Sequence, residues 1–347
     1  MATIEDVARA ANVSIATVSR YMNGRTSGMS SATQQRLKTA IDQLGYVPNA
    51  AARSLKTGRS KLVGVVIANI AHMYWSTMLE GIEEGCRALG FSVLISSAGN
   101  DSETQHRYMQ TLLDQNVAGL LLNPAHADET KVAKWAKIAP PMIMLDRTYP
   151  ALQNPLVAID NFHGAHLATQ HLIDHGHRDI GLISWGIDGL SNRQERLDGF
   201  LATLSGNGLT VQRGRIGFAR ESWDDGVRAT RDMFNNPDPP TAVFCANMEL
   251  SLQVLFGLRQ LGIRVPAEVS LIGFDDAPWN PLLDPPLSAV ASAPFRLGKL
   301  AALRLCRAIE QGAPLRPHDS RLRPVLITRT SVAPPRTEPI PTKLTSM

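Results

Sequence analysis

Apolar positions follow one rhythm at the start of this chain and another from Leu62 onward. Ile4, Val7, Ala8 and Ala11 recur at helical spacing, and Val18 sits where a second short helix turns inward. Leu37, Ile41 and Leu44 form the buried stripe of a third helix, capped by Ser30 or Ser31 and ended by Gly45. From Leu62 the run Leu-Val-Gly-Val-Val-Ile-Ala is apolar throughout and of strand length. Beyond it the pattern predicts strands at 91–97, 117–123, 142–145, 179–184, 241–245 and 269–273, with a last one near 324–328. Between them it predicts helices at 76–90, 102–115, 128–138, 163–175, 191–205, 224–235, 247–261 and 295–311. Wholly apolar strands alternating with amphipathic helices imply parallel sheets covered on both faces. The alternation restarts after Asp160. The expected fold is therefore an all-α head on an α/β core of two lobes, with the chain crossing between them.

The head has the local chemistry of a helix-turn-helix. Thr3 is placed to cap the first helix, with Asp6 three residues on as an imperfect capping box. Asn12 falls at the turn, where a left-handed backbone is needed. Ser14 caps the second helix and leaves Thr17, Ser19 and Arg20 facing outward. Charge separates this head from an ordinary helical bundle. Residues 1–60 carry eight Lys or Arg and three acids, a net of +5, while the whole chain is +4. A basic head on a near-neutral body is the footprint of phosphate binding.

Composition narrows the class further. With 44% hydrophobic and 19% charged residues, the 347-residue chain is globular and long enough for two or three domains. Cys86, Cys245 and Cys306 are scattered and odd in number, so they are expected reduced and buried. No apolar run approaches the ~18 residues of a membrane span, and no signal-peptide layout opens the sequence. A cytoplasmic protein is expected. Neither a phosphate loop ending in Gly-Lys-Ser/Thr nor a Gly-x-Ser-x-Gly elbow is present. His171 and His175 are four apart on a helix without an evident third ligand, so neither a metal, a cofactor nor catalysis is expected.

Several motifs together resemble the lactose/galactose repressor family of bacterial transcription regulators. They include Val13-Ser14…Thr17-Val18-Ser19-Arg20, Leu44-Gly45-Tyr46-Val47-Pro48-Asn49 and Ala52-Arg53-Ser54-Leu55. Further on come Leu145-Asp146-Arg147, Arg196-Leu197-Asp198-Gly199-Phe200 and Gly273-Phe274-Asp275-Asp276. The resemblance spans about residues 3–333. It implies a homodimer, with a tetramer left open, that binds double-stranded operator DNA and carries a periplasmic-binding-protein-like core. The domains it implies are a head at 1–47, a hinge at 48–60, a core at 61–333 and a tail at 334–347. Within the core, one lobe takes about 61–161 and 291–323, and the other about 162–290 and 324–333.

The resemblance also assigns residues. Ile15, Ala16 and Arg20 fall at base-reading positions, where Arg20 offers guanine two parallel donors. Leu55 matches a leucine wedged into the minor groove. Thr3, Ser14, Thr17, Ser19, Asn23, Tyr46, Asn49, Ala52 and Arg53 complete the expected DNA-binding set. A small ligand is expected between the lobes, at the carboxyl ends of the strands. His72, Tyr74, Trp75, Asp146 and Arg147 fall there from the first half of the core. Arg193, Arg196, Glu221, Asn247 and Asp275 do so from the second. One of the two aromatics, Tyr74 or Trp75, is expected to stack on a sugar ring and the other to pack in the core. The family commonly reads Ala-Asn-Asp where this chain has Ala246-Asn247-Met248. Loss of that carboxylate is expected to leave Arg147, Arg193, Arg196 and His72 in a net-positive cleft suited to a sugar acid or sugar phosphate. The implied function is a repressor of a carbohydrate operon released by a small sugar or sugar derivative. The alternatives are a repressor that needs a nucleobase or other metabolite to bind DNA and, remotely, a pure sugar-binding module.

Overall fold

The computed structural model describes residues 2–22, 24–47, 60–125, 135, 140–149 and 154–337. The predicted helix at 128–138, apart from Trp135, lies outside them. So do Asn23, Asn49, Ala52, Arg53, Leu55 and residues 338–347. The chain divides into two compact units, Met1–Lys61 and Leu62–Met347.

The first unit holds α1 (Ile4–Ala10), α2 (Ile15–Met22) and α3 (Ser31–Leu44). The Thr3 hydroxyl accepts from the Asp6 amide while Asp6 Oδ2 accepts from the Thr3 amide, so both halves of the capping box form. Asn12 turns the chain at φ +50°, and Ser14 Oγ accepts from the Thr17 amide to start α2. Val7, Ala8, Ala11, Val18, Leu37 and Ala40 make the small core, with Ile4, Ile41 and Tyr46 packed against it. Leu44 departs from the expected stripe and is exposed. It is the last residue before Gly45 turns left-handed at φ +54°, so the helix ends before Leu44 can reach the core.

The second unit contains two six-stranded sheets. In the first lobe β1 (Leu62–Ile67), β2 (Ser92–Ser97), β3 (Gly119–Leu122), β4 (Met142–Leu145) and β5 (Leu156–Ile159) pair in parallel, in the order β5-β4-β3-β1-β2. The second lobe repeats the scheme. Its strands are β6 (Ile180–Trp185), β7 (Ile216–Ala219), β8 (Ala242–Cys245), β9 (Ser270–Phe274) and β10 (Ser288–Ala291), in the order β10-β9-β8-β6-β7. Late in the chain β11 (Ser320–Leu322) joins β5 in parallel, and β12 (Val325–Ile327) joins β10 antiparallel. The chain thus crosses between lobes near Asp160, Ser292 and Arg323. The Asp160 amide donates to the Leu322 carbonyl at 2.9 Å, tying two crossings together.

The helices of this unit are α4 (Met73–Ala88), α5 (Ser102–Asp114), α6 (Asn161–Asp174), α7 (Ser191–Gly206), α8 (Trp223–Phe234), α9 (Met248–Gln260) and α10 (Pro294–Gln311). They cover the sheets because the strands are apolar on both faces; β3, β4, β5, β6 and β8 are buried throughout. α10 returns to the first lobe and packs along α4 with almost no gap. A Cβ on Gly81 would lie 2.1 Å from the Phe295 carbonyl oxygen, and one on Gly298 2.1 Å from that of Met78. Glycine is what lets the two backbones approach. Cys86 and Cys306 meet in this seam as buried free thiols, Sγ to Sγ 3.8 Å. The expected tail is tied to the second lobe as far as Arg336. Arg336 donates to the carbonyls of Pro239, Pro240 and Glu268, and the Ala333 carbonyl lies 2.9 Å from His177 Nε2.

Candidate functional site

Parallel strands present their carboxyl ends on one edge of a sheet, and here the two edges face each other across a cleft. β1 leads through Asn69 to His72, Tyr74 and Trp75 at the start of α4, and β4 runs into Asp146 and Arg147. From the other lobe, β6 ends on Trp185, β8 leads to Ala246 and Asn247, and β9 leads to Asp275. These residues, with Ser184 and with Asn192, Arg193 and Arg196 from the first turns of α7, line a void of ≈ 500 Å³, its open mouth included.

Asp146 and Asp275 both carry positive φ, +61° and +70°. Left-handed backbone is unfavourable for a side chain other than Asn, Asp or Gly, and it turns each carboxylate off its strand into the cleft. Asp146 accepts from the Tyr74 hydroxyl at 3.3 Å and from Asn192 Nδ2, across the lobes, at 2.7 Å. Asp275 accepts from the Ser292 hydroxyl. Burial pushes Asp275 up, against the pull of Arg196 and Ser292, to about 6.

The arginines have different surroundings. Arg193 pairs with Glu221 and donates to the Gly186 carbonyl. Arg196 is locked in place: Nε donates to Asn161 Oδ1 at 2.8 Å, one terminal nitrogen to the Ala246 carbonyl at 2.5 Å, and its carbon lies 3.7 Å from the centre of the Phe274 ring. It braces the second lobe as well as lining the cleft. Arg147 donates to the Pro124 carbonyl and stands 3.9 Å from Asp146, with its Nε–H unpartnered. Burial drags its guanidinium down to about 10, with Asp146 opposing and Arg193 adding repulsion.

His72 bridges the lobes. Its ring nitrogens lie 3.3 Å from Glu249 Oε1 and 3.5 Å from Glu221 Oε2, and Asn100 Nδ2 donates to the same Glu221 oxygen at 2.6 Å. Burial alone would depress the imidazole, but hydrogen bonds to Glu221 and Glu249 outweigh it and raise His72 to about 9. Glu221 is the converse case: burial raises it, but His72 and Arg193 hold it near 2.

Four expectations need correction. Tyr74 and Trp75 do not divide between cleft and core: both pack in the first lobe's core, as expected of at least one, and both also line the void, their rings edge-to-face at 5.3 Å. The cleft is not strongly positive. Glu249, one residue past Met248, supplies a carboxylate beside His72, so Arg147, Arg193, Arg196 and charged His72 face Asp146, Asp275, Glu221 and Glu249. Asn247 gives its side-chain oxygen to the amides of Glu249 and Leu250 as the cap of α9, which leaves only its Nδ2 for the cleft. Glu221 stands slightly apart from the rest, on a neighbouring void that shares Arg193.

Trp185, Asn192, Ser184 and Glu249 escaped the sequence reading. The signal for Trp185 was present, since it ends a strand as Asp146 and Asp275 follow theirs. For Asn192 and Glu249 none was, since both act across the lobes.

In the first unit, Ile15 is 41% exposed and Ala16 and Arg20 are exposed, so the start of α2 and its outer face are open. Thr3 and Ser14 spend their hydroxyls on caps, and Tyr46 packs on the core. Arg20 donates to the Ser27 carbonyl at 3.0 Å through one of its nitrogens.

Comparison with known proteins matches residues 3–49 to the model of the bacterial regulatory proteins of the lacI family and residues 169–332 to a periplasmic binding protein-like domain. The HTH-type transcriptional regulator PtxS of Pseudomonas aeruginosa is 34% identical over 89% of this chain and 89% of its own. The HTH-type transcriptional repressor PurR of Photobacterium profundum is 32% identical over 96% of this chain and 99% of its own. Among solved structures, the lac repressor dimer bound to operator and the anti-inducer ONPF superposes with a TM-score of 0.86 at 28% identity, covering 96% of this chain and 99% of that one. A complex of the transcriptional regulator CelR with cellobiose gives 0.73 at 29% identity, covering 95% and 100%.

Proposed function

We propose, for a chain that belongs to the LacI family of bacterial regulatory proteins, that its head represses a carbohydrate operon and that a sugar or sugar acid in the cleft releases it from the operator. The observation that carries the effector class is the interleaving of donors and acceptors around one void. Asp146 and Asp275 accept; Arg147, Arg196 and Trp185 donate. A hydroxyl does both, so a polyhydroxy compound satisfies such a lining where an apolar ligand would leave it unpaired.

Linkage couples the cleft to the operator, and release is the polarity taken here because it is the commoner one in the family. A ligand contacting both lobes favours one arrangement of them by the difference between its affinities for the two, and operator binding shifts by the same factor. The operator side rests on the exposed start of α2 with Ile15, Ala16 and Arg20, on the basic head, and on Leu55 as the minor-groove wedge. Homodimerisation supplies the second half-site, and the family's regulators carry no catalytic role.

A thermal-shift screen of the full chain against sugars, sugar acids and nucleobases, followed by operator binding with each hit, tests this. A sugar or sugar acid should raise the melting temperature and lower operator affinity. Stabilisation by a nucleobase alone, or tighter operator binding with the hit, would contradict it.

A further inference from the structure

Among the described residues, two buried N–H donors that line the cleft have no acceptor: Arg147 Nε and Trp185 Nε1. They come from opposite lobes, Arg147 from the loop after β4 and Trp185 from the last position of β6. An unmatched buried donor is costly, so two such donors on residues that line one void point to an acceptor which that void receives.

We infer that Arg147 and Trp185 hold the carboxylate of a polyhydroxy acid, and that the Trp185 indole N–H determines the preference for the acid over its neutral counterpart. This rests on the cleft being the effector site. The cleft as a whole is balanced in charge, but the local pairing of its arginines supports a carboxylate over a hydroxyl. Every hydrogen bond of Arg147 and Arg196 goes to a neutral oxygen, whereas Arg193 has Glu221. Arg147 is buried, and the carboxylate of Asp146, 3.9 Å from its Nε, already accepts from Tyr74 and Asn192. An acceptor-only group with a negative charge satisfies this guanidinium; a hydroxyl adds a proton that needs an acceptor of its own.

Trp185 is built as a fixed donor. Its ring lies 5.0 Å from that of His72 and 5.2 Å from the Arg193 guanidinium, so two cationic groups pack on it. The unpartnered acceptor beside the cleft, Glu249 Oε2, next to His72, is left for a hydroxyl of the same molecule. A carboxylate bound by Arg147 and Trp185 spans the lobes, which makes it the group whose binding biases their arrangement.

The test is calorimetric titration of the full chain with matched acids and polyols: D-gluconate against D-glucitol, D-galactonate against galactitol, and D-xylonate against xylitol. At least one acid should bind about 10-fold or more tightly than its polyol, as expected for a hydrogen bond to a charged group. Trp185→Phe keeps the ring and removes the donor; it should weaken the acid by about 10-fold and the polyol by less than about 3-fold, collapsing the ratio. In the unmodified protein the Trp185 indole N–H resonance should move downfield with the acid and not with the polyol, which stands whether or not the variant folds. Polyol and acid binding alike, or equal losses on both in Trp185→Phe, overturns the inference and leaves the effector cleft in place. Binding of neither member of any pair overturns the inference and the carbohydrate reading together.

Discussion

Asp146 and Asp275 occupy the same place in the two lobes: each is the first residue past the strand next to the last of its parallel series, and each turns left-handed there, at φ +61° and +70°. The two halves of the core thus deliver a carboxylate to the cleft by one backbone device used twice. Such strain persists where the surroundings fix it and gathers at functional sites.

The device separates two effects at Asp275. Asparagine tolerates the left-handed backbone, so Asp275→Asn removes charge alone, whereas Asp275→Ala adds about 1–2 kcal/mol of backbone cost. Because burial raises the folded pKa to about 6, the stability tied to the neutral acid is full below 3.8 and lost as pH rises through 6. Asp275→Asn should therefore melt higher than the parent at pH 8 and match it near pH 4. Calorimetric melts at the two pH values check this; a variant less stable than the parent at pH 8 would show that the ionised carboxylate is wanted for folding.

The His72 bridge predicts a second alkaline loss, at higher pH. His72 is raised from 6.5 to about 9, so its pairing with Glu221 and Glu249 stabilises fully below pH 6.5 and is lost as pH rises through 9. Glu221, lowered from 4.5 to about 2, contributes above 4.5 and is lost on acidification towards 2. His72→Gln should flatten the loss of melting temperature between pH 6.5 and 9. The effect should be about 1–2 kcal/mol, reduced from the full shift because His72 is partly open to solvent. An unchanged alkaline slope in the variant would mean that His72 carries no charge in the cleft.

The seam between α4 and α10 gives a stability prediction independent of ligand. Gly81→Ala places a methyl on the Phe295 carbonyl and should cost about 1–3 kcal/mol or more, as other overpacked sites do. Gly206→Ala, at a position with nothing within 4 Å, is the control and should cost little. Comparable urea midpoints for the two variants would show that the helices can part.

The sequence made every long helix of the core and most of its strands legible. α4, α5, α6, α7, α8, α9 and α10 lie close to their expected bounds because each repeats its apolar stripe over several turns. β5, β7, β10 and β11 were missed. Each is three or four residues long, as are the expected β3, β4, β8 and β12, so length alone is not the reason; β7 and β11 lie at sheet edges, where burial writes a weaker pattern. At the cleft, strand-end logic located Asp146, Arg147, Asn247 and Asp275, because a parallel sheet fixes where its strands end. It could not foresee that Glu249 restores the carboxylate absent at Met248, since a one-residue displacement on a helix changes which lobe a side chain meets.

The account depends most on the head, residues 1–60, as the part that meets DNA. Fluorescence anisotropy on the promoter fragment, with the full chain and with residues 61–347, in salt from 50 to 200 mM, is the direct measurement. The full chain should bind a near-palindromic site with half-sites roughly 34–36 Å apart. Its affinity should fall on the order of 10³-fold across that range as Lys and Arg give up phosphate contacts to counterions. Residues 61–347 should not bind. Operator binding retained by that fragment, or an affinity indifferent to salt, would contradict the assignment.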